Sequence, residues 1–490
     1  MSEVITIGDR AAVVHADCKD YLQLLPDASV DAIVTDPPYG LGDTSPAKVA
    51  ACLRAWLDGD EHEAAGGGFM GRAWDSWVPG PRVWRECLRV LKPGGHLLAF
   101  AGSRTVDLMG MALRLAGFEV RDSLQWLYGT GFPKSLDVSK AIDARPGVVA
   151  HDRFAAELAA ARASAGMSRA DVSEQVVGTR SGACWNWEHH QFPAARHWPA
   201  LARALPALSE AWQPLLAAAD RAKVGSHVRD MGGFAGSRLG AIGGDITAPA
   251  TDAARQWDGW GTALKPAAEP ILLCRKPLSG TVAANVLEHG VGGLNVDGCR
   301  VATTRDDAAQ MERCNTPGSG QLTRGRWPPN VLLAHPPGCD GDNNGAGCVE
   351  GCAVGTLGEQ SGGGKRAATA GATGGLGDTG TAARFFPSFR FRYVPKPRRA
   401  EREAGLVAPD GQKRANTHPT VKPVDLMRWL VRLVTPRGGV VLDPFTGSGT
   451  TGVAAVREGV FFMGIERDPE SVRIAVGRIK HVELEADDED

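Results

Sequence analysis

Short apolar runs alternate with amphipathic stretches over the first 130 positions. Residues 12–17 and 31–35 are apolar runs of strand length, joined by a stretch at 19–25 with helical spacing. Over 81–91, Val83, Trp84, Cys87, Leu88 and Leu91 share one helical face, and Lys92-Pro93-Gly94-Gly95 stops the helix. Residues 96–101 read as the next strand, 106–115 as a helix stopped by Gly117, and 118–127 as a further strand. Strand and helix in alternation predict a mostly parallel α/β sheet. The Gly- and Ala-rich stretch after Tyr39, carrying Trp56, Trp74 and Trp77, predicts a mobile flap rather than core.

The alternation breaks near Pro146. Residues 152–220 are Ala-rich and helical in pattern. Helices are expected over 153–165 (closed by Gly166), 169–176 (N-capped by Ser168), from near Thr179 after a turn at Gly178, and over 198–205 and 210–219. Residues 225–262 read as a connector and 269–274 as a strand of the resumed sheet. From 280 to 400 the chain is irregular, with short strands at 330–334 and 390–394 and a mobile run over 355–381. An amphipathic helix at 424–434, strands at 439–442 and 460–465, and an acidic solvated tail at 483–490 complete the pattern.

Composition changes this picture little. A chain of 490 residues suggests two to four domains, and 43% hydrophobic with 22% charged is ordinary for a globular protein. The net charge of −2 excludes a global polycation, so any nucleic-acid surface must be a local patch. Ten scattered cysteines, no signal peptide and no membrane-length apolar run predict a reduced, cytoplasmic protein without a membrane partner.

The candidate chemistry sits at strand ends. Asp36-Pro37-Pro38-Tyr39-Gly40 follows the 31–35 run, and two prolines forbid continuation as strand or helix. The result is a stiff loop at the carboxyl end of a strand, where α/β sheets place ligands. One carboxylate, freed carbonyls and one aromatic ring suit a flat substrate bearing an exocyclic amine. A second loop, Asp443-Pro444-Phe445-Thr446-Gly447-Ser448-Gly449, lies between a strand and a helix, where glycines let the backbone approach a ligand. Glu466 ends the next strand, 17 residues after Gly449, about where a carboxylate holds ribose hydroxyls. Gly447, Gly449 and Gly452 also satisfy the dinucleotide fingerprint, but too little chain follows for a full dinucleotide domain. Asp443 beside a pyrophosphate would be unfavourable, whereas a cationic, phosphate-free adenosyl cofactor suits it, with Asp443 facing the ammonium of its methionine part.

Three further sets qualify. Arg390, Arg392, Lys396, Arg398, Arg399 and Arg402, next to Phe389, Phe391 and Tyr393, read either as a solvated face or as phosphate contacts. His335, Cys339, Cys348 and Cys352 fall within 18 positions and read either as a zinc site or as a loop with unpaired thiols, their spacing matching no standard finger. The helices around 153–188 resemble the helix-turn-helix domain of lambda-repressor-type regulators, ending in Trp187-Glu188. That resemblance makes Thr179, Arg180, Ser181 and Asn186 candidate DNA contacts, against a plain helical insertion.

Over roughly residues 1–145 and 260–480, with the repressor-like insertion set apart, the chain resembles the permuted, beta-class site-specific DNA amino-methyltransferases that act on adenine N6 or cytosine N4. Asp36 to Tyr39 comes first, an irregular region follows, and Asp443 to Gly449 comes last. Asp17-Cys18 matches the family's adenine-contacting position, His418-Pro419-Thr420-Val421-Lys422-Pro423 the segment leading into the cofactor loop, and Glu466 the ribose ligand. Gly131 to Ser135 and Asn295 to Gly298 look like stretches of phage and actinobacterial relatives. The resemblance implies a circularly permuted Rossmann-like α/β methyltransferase sheet with an all-α insertion, divided as 1–145, 150–222, 260–400 and 415–482. It implies S-adenosyl-L-methionine as cofactor, bound by Asp17, Cys18, Thr420, Lys422, Asp443, Phe445, Gly447, Gly449 and Glu466. It implies a catalytic Asp36, Pro37, Pro38 and Tyr39, and double-stranded DNA as partner, with adenine favoured over cytosine. A homodimer, a cognate restriction enzyme and a catalytically silent DNA-binding regulator stay open at this point.

Overall fold

The computed structural model describes residues 3–42, 44–62, 75–128, 135–144, 148–218, 222–229, 242–264, 266–301, 326–335, 339, 348–349, 352–361, 388–390, 403, 405–406, 416, 418 and 420–487. Two compact units divide the chain: Met1–Thr130 with Ala267–Asp490, and Gly131–Pro266.

The strands are β1 (Glu3–Ile7), β2 (Ala11–His15), β3 (Val30–Thr35), β4 (Leu91–Phe100), β5 (Glu119–Leu127), β6 (Lys223–Arg229), β7 (Ile242–Thr247), β8 (Ala268–Arg275), β9 (Val331–His335), β10 (Ser388–Arg390), β11 (Val440–Asp443) and β12 (Phe461–Glu466). In the first unit ten of them form one sheet in the order β1-β2-β12-β11-β3-β4-β8-β5-β9-β10. From β2 to β4 every pairing is parallel, while β8 runs antiparallel to both β4 and β5. All six residues of β3 are buried, which its apolar run anticipates for a strand covered on both faces. Its one charge, Asp31, is paired: Oδ1 accepts from Lys92 Nζ at 2.6 Å and Oδ2 from the Val440 backbone N–H at 2.7 Å, tying β3 to the start of β11.

Helices cover both faces. Val424–Val434, Thr450–Arg457 and Pro469–Asp487 pack on one side, contributing Leu426, Leu430, Val431, Ala454, Ala455 and Ile479 to its core. Pro81–Val90 and Val106–Ala116 pack on the other through Trp84, Cys87, Met109 and Leu113. Gly117 ends the second of these in a left-handed turn, as its sequence position predicts.

The structure departs from the sequence reading in five places. The stretch after Tyr39 is not a flap throughout: Pro46–Asp58 is a helix started by proline, and Cys52, Trp56 and Trp77 are buried in the core. Trp74 lies outside the described residues. Within 225–262, β6 pairs with β7 and Asp252–Gln256 is helical, so the segment is more than a connector. The irregular region holds a helix at Val282–His289 and another at Ala353–Ser361, and its last described strand is Ser388–Arg390. The acidic terminus is helical through Asp487, because Val472, Ala475, Ile479 and Val482 give it an apolar face and even Glu483 is buried.

The fifth departure is in the second unit. Its helices Val148–Ser164, Arg169–Val177, Ala183–His189, Trp198–Ala204 and Trp212–Ala218 enclose Phe154, Leu158, Val172, Cys184, Trp187 and Leu201. Ser168 and Asp171 form the reciprocal cap at the start of the second helix. The third helix begins at Ala183, not near Thr179. Arg180 reaches back to Asp171 and Glu174, both at 2.9 Å, and Ser173 Oγ caps the Cys184 N–H at 3.0 Å, so helix formation is delayed. Glu188 holds the bundle together: its two oxygens accept from Arg162 Nε at 2.7 Å and Arg169 Nε at 2.5 Å.

Candidate active site

β3 and β11 are parallel neighbours, with Ala32 opposite Val441 and Ile33 opposite Leu442, so their carboxyl ends open side by side. Thr35 closes β3, and its buried hydroxyl donates to Asp443 Oδ1 at 2.6 Å. The two loops singled out in the sequence therefore start from a shared hydrogen bond.

The first loop is held from behind. The Tyr39 and Gly40 backbone N–H groups both donate to Asp75 Oδ1, at 2.8 and 3.1 Å, and Thr105 Oγ1 donates to the Tyr39 carbonyl at 2.5 Å. Pro37 is buried, while Asp36, Pro38 and Tyr39 are half-buried. Lys422 is the hub. Its Nζ lies 2.7 Å from Asp36 Oδ2, 3.1 Å from Tyr39 Oη and 3.4 Å from Glu269 Oε2. It also sits over the Phe100 and Tyr39 rings, 4.8 and 5.2 Å from their centroids. Tyr39 Oη donates to Glu269 Oε2 at 2.9 Å.

Glu269 reaches this edge because β8 is antiparallel: its first residues lie where β4 ends, with Ile271 opposite Phe100. Asp36 Oδ1 is buried and accepts no hydrogen bond among the described residues. Burial pushes the Asp36 carboxyl up and Lys422 pulls it down; burial also lowers Lys422, which Asp36 and Glu269 more than offset. Burial is the larger effect on Asp36, so its carboxyl stands above the ordinary carboxylate range.

The second loop is saturated instead. Asp443 Oδ1 also accepts the Phe445 N–H at 3.1 Å, and Oδ2 accepts the Thr451 hydroxyl at 2.6 Å. Burial pushes its carboxyl up to about 6 despite these donors. Gly447 and Gly449 both have positive φ, 51° and 75°. A Cβ at Gly447 would lie 2.9 Å from His418 Nε2, and one at Gly449 would lie 2.8 Å from Ala475 Cα, so only glycine fits either turn. Gly449 caps the helix Thr450–Arg457. Buried Arg478 braces the turn, donating to the Ser448 carbonyl at 2.6 Å and the Thr450 hydroxyl at 3.0 Å. Glu466 lies across from the loop, its Oε2 accepting the Gly447 N–H at 2.8 Å.

The remaining expected residues fall around these loops. β2 pairs with β12 at His15 and Glu466, and the Ala16 N–H donates to the Glu466 carbonyl at 3.0 Å, placing Asp17-Cys18 beside Glu466. Asp17 caps a four-residue helix through the Lys19 N–H. Burial, helped by Asp17, pushes the Cys18 thiol up to about 12, so it is no nucleophile. Phe445 packs on Trp84 with ring centroids 6.0 Å apart. Lys422 is buried and Thr420 exposed; Pro419 lies outside the described residues.

In the second unit Thr179, Arg180 and Ser181 are exposed in the turn before the third helix, and Asn186 is half-buried on it. Arg390 lies in β10, opposite His335, and Arg392 lies outside the described residues. His335, Cys339, Cys348 and Cys352 come together, with one ligand atom of each within 4.8 Å of all the others. Glu269, Asp75 and Thr105 are participants that sequence reasoning missed. Glu269 had a visible signal, a carboxylate opening an otherwise apolar strand, but nothing local names its partner.

A largely parallel doubly wound sheet with two ligand-ready loops at its carboxyl edge defines a Rossmann-like α/β transferase. The chain belongs to the DNA methylase family of N6/N4 type, whose model matches residues 30–143 and 259–477. It is 45% identical over 69 residues to the type II methyltransferase M2.DpnII of Streptococcus pneumoniae, covering 14% of this chain and 26% of that one. It is 40% identical over 75 residues to M2.LlaDCHI of Lactococcus lactis subsp. cremoris, covering 15% and 28%. The chain thus spans only about a quarter of the length of these curated relatives. Among solved structures it is similar to the cytosine-N4-specific PvuII DNA methyltransferase (10% identity, TM-score 0.38, covering 96% and 90% of the two chains). Another is the complex of M1.HpyAVI with S-adenosylmethionine (13% identity, TM-score 0.33, covering 96% and 98%). Among the described residues no helix is long and apolar enough to cross a membrane.

Proposed function

We propose that this chain transfers a methyl group from S-adenosyl-L-methionine to the exocyclic amine of a base flipped out of double-stranded DNA, with adenine N6 the preferred target. The observation that carries the reading is the open buried oxygen of Asp36, beside a ring and within the Lys422 cluster at the edge of the donor loop. An amine N–H donates to Asp36 Oδ1, the Pro37 carbonyl takes the second N–H, and Tyr39 stacks on the base. This aims the nitrogen lone pair at the sulfonium methyl, so rate comes from positioning. Bound S-adenosyl-L-methionine would supply the methyl group and leave as S-adenosylhomocysteine; the carboxyl groups of Asp36 and Glu269 would stabilise the charge arriving on nitrogen, whose surplus proton would pass through Asp36 to solvent. Lys422 opposes the upward push of burial on the Asp36 carboxyl, and Asp75 fixes the loop.

The cofactor loop offers the Gly447–Gly449 backbone, Phe445 and Glu466, with Asp17, Cys18 and Thr420 at its margins. Glu466 releases the Gly447 N–H and turns to the ribose hydroxyls. Asp443, with both oxygens engaged inside the protein, holds the loop rather than facing the cofactor's ammonium. In this reading the chain is circularly permuted, since the base loop precedes the donor loop. The second unit is an insertion that grips duplex DNA through the exposed turn at Thr179, Arg180 and Ser181. The family model's omission of residues 144–258 supports the insertion.

The test is digestion of duplex DNA treated with enzyme and cofactor, followed by nucleoside mass spectrometry. N6-methyladenine is expected. N4-methylcytosine alone would overturn the base preference, and no methylated nucleoside would overturn the reading.

A further inference from the structure

We propose that His335, Cys339, Cys348 and Cys352 bind one structural zinc ion that fastens the chain after β9 to the end of the sheet. None of the four is among the residues assigned to methyl transfer, and the inference does not depend on that assignment.

Three observations converge. The first is geometry. Cys348 Sγ and Cys352 Sγ lie 3.4 and 3.5 Å from His335 Nδ1. Zinc–sulfur and zinc–nitrogen bonds of about 2.3 and about 2.0 Å at a tetrahedral angle put sulfur and nitrogen roughly 3.5 Å apart. These two sulfur–nitrogen distances thus already match the edges of a tetrahedron sized for zinc, the four ligand atoms lie within 4.8 Å of one another, and none of these cysteines is in a disulfide.

The second is the surroundings of the sulfurs. The Val349 N–H points at Cys339 Sγ at 3.4 Å, and the Gly355 N–H at Cys352 Sγ at 3.5 Å. Backbone N–H groups aimed at cysteine sulfurs are the outer hydrogen bonds that metal-bound sulfur takes. Gly355 permits the approach, for a Cβ there would lie 2.8 Å from Cys348 Cβ.

The third is the poverty of the local core. His335, Cys339 and Cys352 are buried, yet among the described residues the buried apolar cluster here is only Leu333, Cys339, Cys352 and Val354. Two of its four members are the ligands themselves. So small a core stabilises little, and metal binding supplies the folding free energy that burial does not. The ligands fall into two pairs, each with three residues between its members, as short ligand spacings do, and eight residues separate the pairs. Three soft sulfurs and one imidazole, with no further donor grouped with them among the described residues, select zinc in a closed structural site rather than a catalytic one.

The test uses the full-length chain purified under reducing conditions. Elemental analysis should find about one zinc per chain, released when a mercurial reagent titrates the thiols. Cobalt exchanged into the same protein should give the visible bands of a tetrahedral site and a thiolate charge-transfer band. Cys348→Ser with Cys352→Ser should lose the zinc. If that variant does not fold, the cobalt spectrum of the unaltered chain decides the matter alone. Chains without zinc after expression in zinc-supplemented medium, cobalt in an octahedral environment, stoichiometric copper or iron instead, or a disulfide among these cysteines would each overturn the proposal. So would zinc retained in full by the double variant.

Discussion

Two aspartates close two neighbouring parallel strands, and they do opposite things. Asp36 follows β3 and keeps one buried oxygen open, with its other oxygen on Lys422. Asp443 ends β11 and has both oxygens filled by Thr35, Thr451 and the Phe445 backbone. Residue type is the same and both stand at strand ends on one edge of the sheet; the supply of internal donors differs. An unsaturated buried carboxylate stores a demand for a partner, which in the proposed reaction a substrate amine meets. A saturated one spends that demand on the shape of its loop. The contrast teaches that position at a strand end nominates a carboxylate, and its hydrogen-bond count assigns its job.

The comparison can be broken most severely at Asp36. Asp36→Ala should cut methyl transfer by a thousand-fold or more, about the loss of a group stabilising the transition state, while calorimetry finds cofactor affinity within a factor of about two. Retention of near-full activity would remove Asp36 from the chemistry. On the other side, Gly449→Val should abolish cofactor binding and lower the melting temperature by several degrees, since its branched side chain meets the Ala475 backbone at a left-handed φ. A variant that folds and binds cofactor normally would dissolve the tight-turn account.

Tyr39 gives a smaller, graded effect. Tyr39→Ala should weaken binding of DNA in the methylation assay by about tenfold, the worth of one base–aromatic stack. Tyr39→Phe keeps the ring and loses only the links to Glu269 and Lys422, so it should lose less. Equal loss in the two variants would argue against stacking.

The subtlest effect belongs to Asp443. Its carboxyl, ordinarily titrating near 4, is pushed up to about 6 in the folded chain. The folded state therefore binds the proton more tightly than the unfolded state. The resulting stabilisation is whole below pH ~4 and is lost as pH rises through ~6. Relative to Asp443→Asn, which has no proton to exchange, the natural chain should lose up to ~3 kcal/mol across that window in urea unfolding. A difference that stays flat, or grows with pH, would show that the internal donors outweigh burial.

Much of this was legible in the sequence because it is local. The apolar run of β3, the proline pair after Asp36 and the glycines of the second loop each announce their conformation within a few residues. The two loops could be placed on one edge because parallel sheets leave their strand ends together. What escaped was long-range or masked by composition. Pro46–Asp58 hides among alanines, and its core role rests on Cys52 and Trp56 meeting Trp77. The shift of the third helix to Ala183 depends on Arg180 finding acids on the preceding helix. Glu269 matters only because an antiparallel strand carries it to the far edge, and no periodicity encodes that meeting.

Thr35 and Asp443 are 408 positions apart in the chain yet joined by one hydrogen bond. At ribosomal speeds of about 5–20 residues per second, tens of seconds pass between making the two. Throughout that interval the edge of β3 where β11 will later dock keeps its backbone groups unpaired, an invitation to pair with the wrong strand. Such distant pairing also makes for slow maturation. The Asp36 cluster waits for Lys422 as the second loop waits for Asp443, so both halves of the site are completed together, long after β3 itself is made.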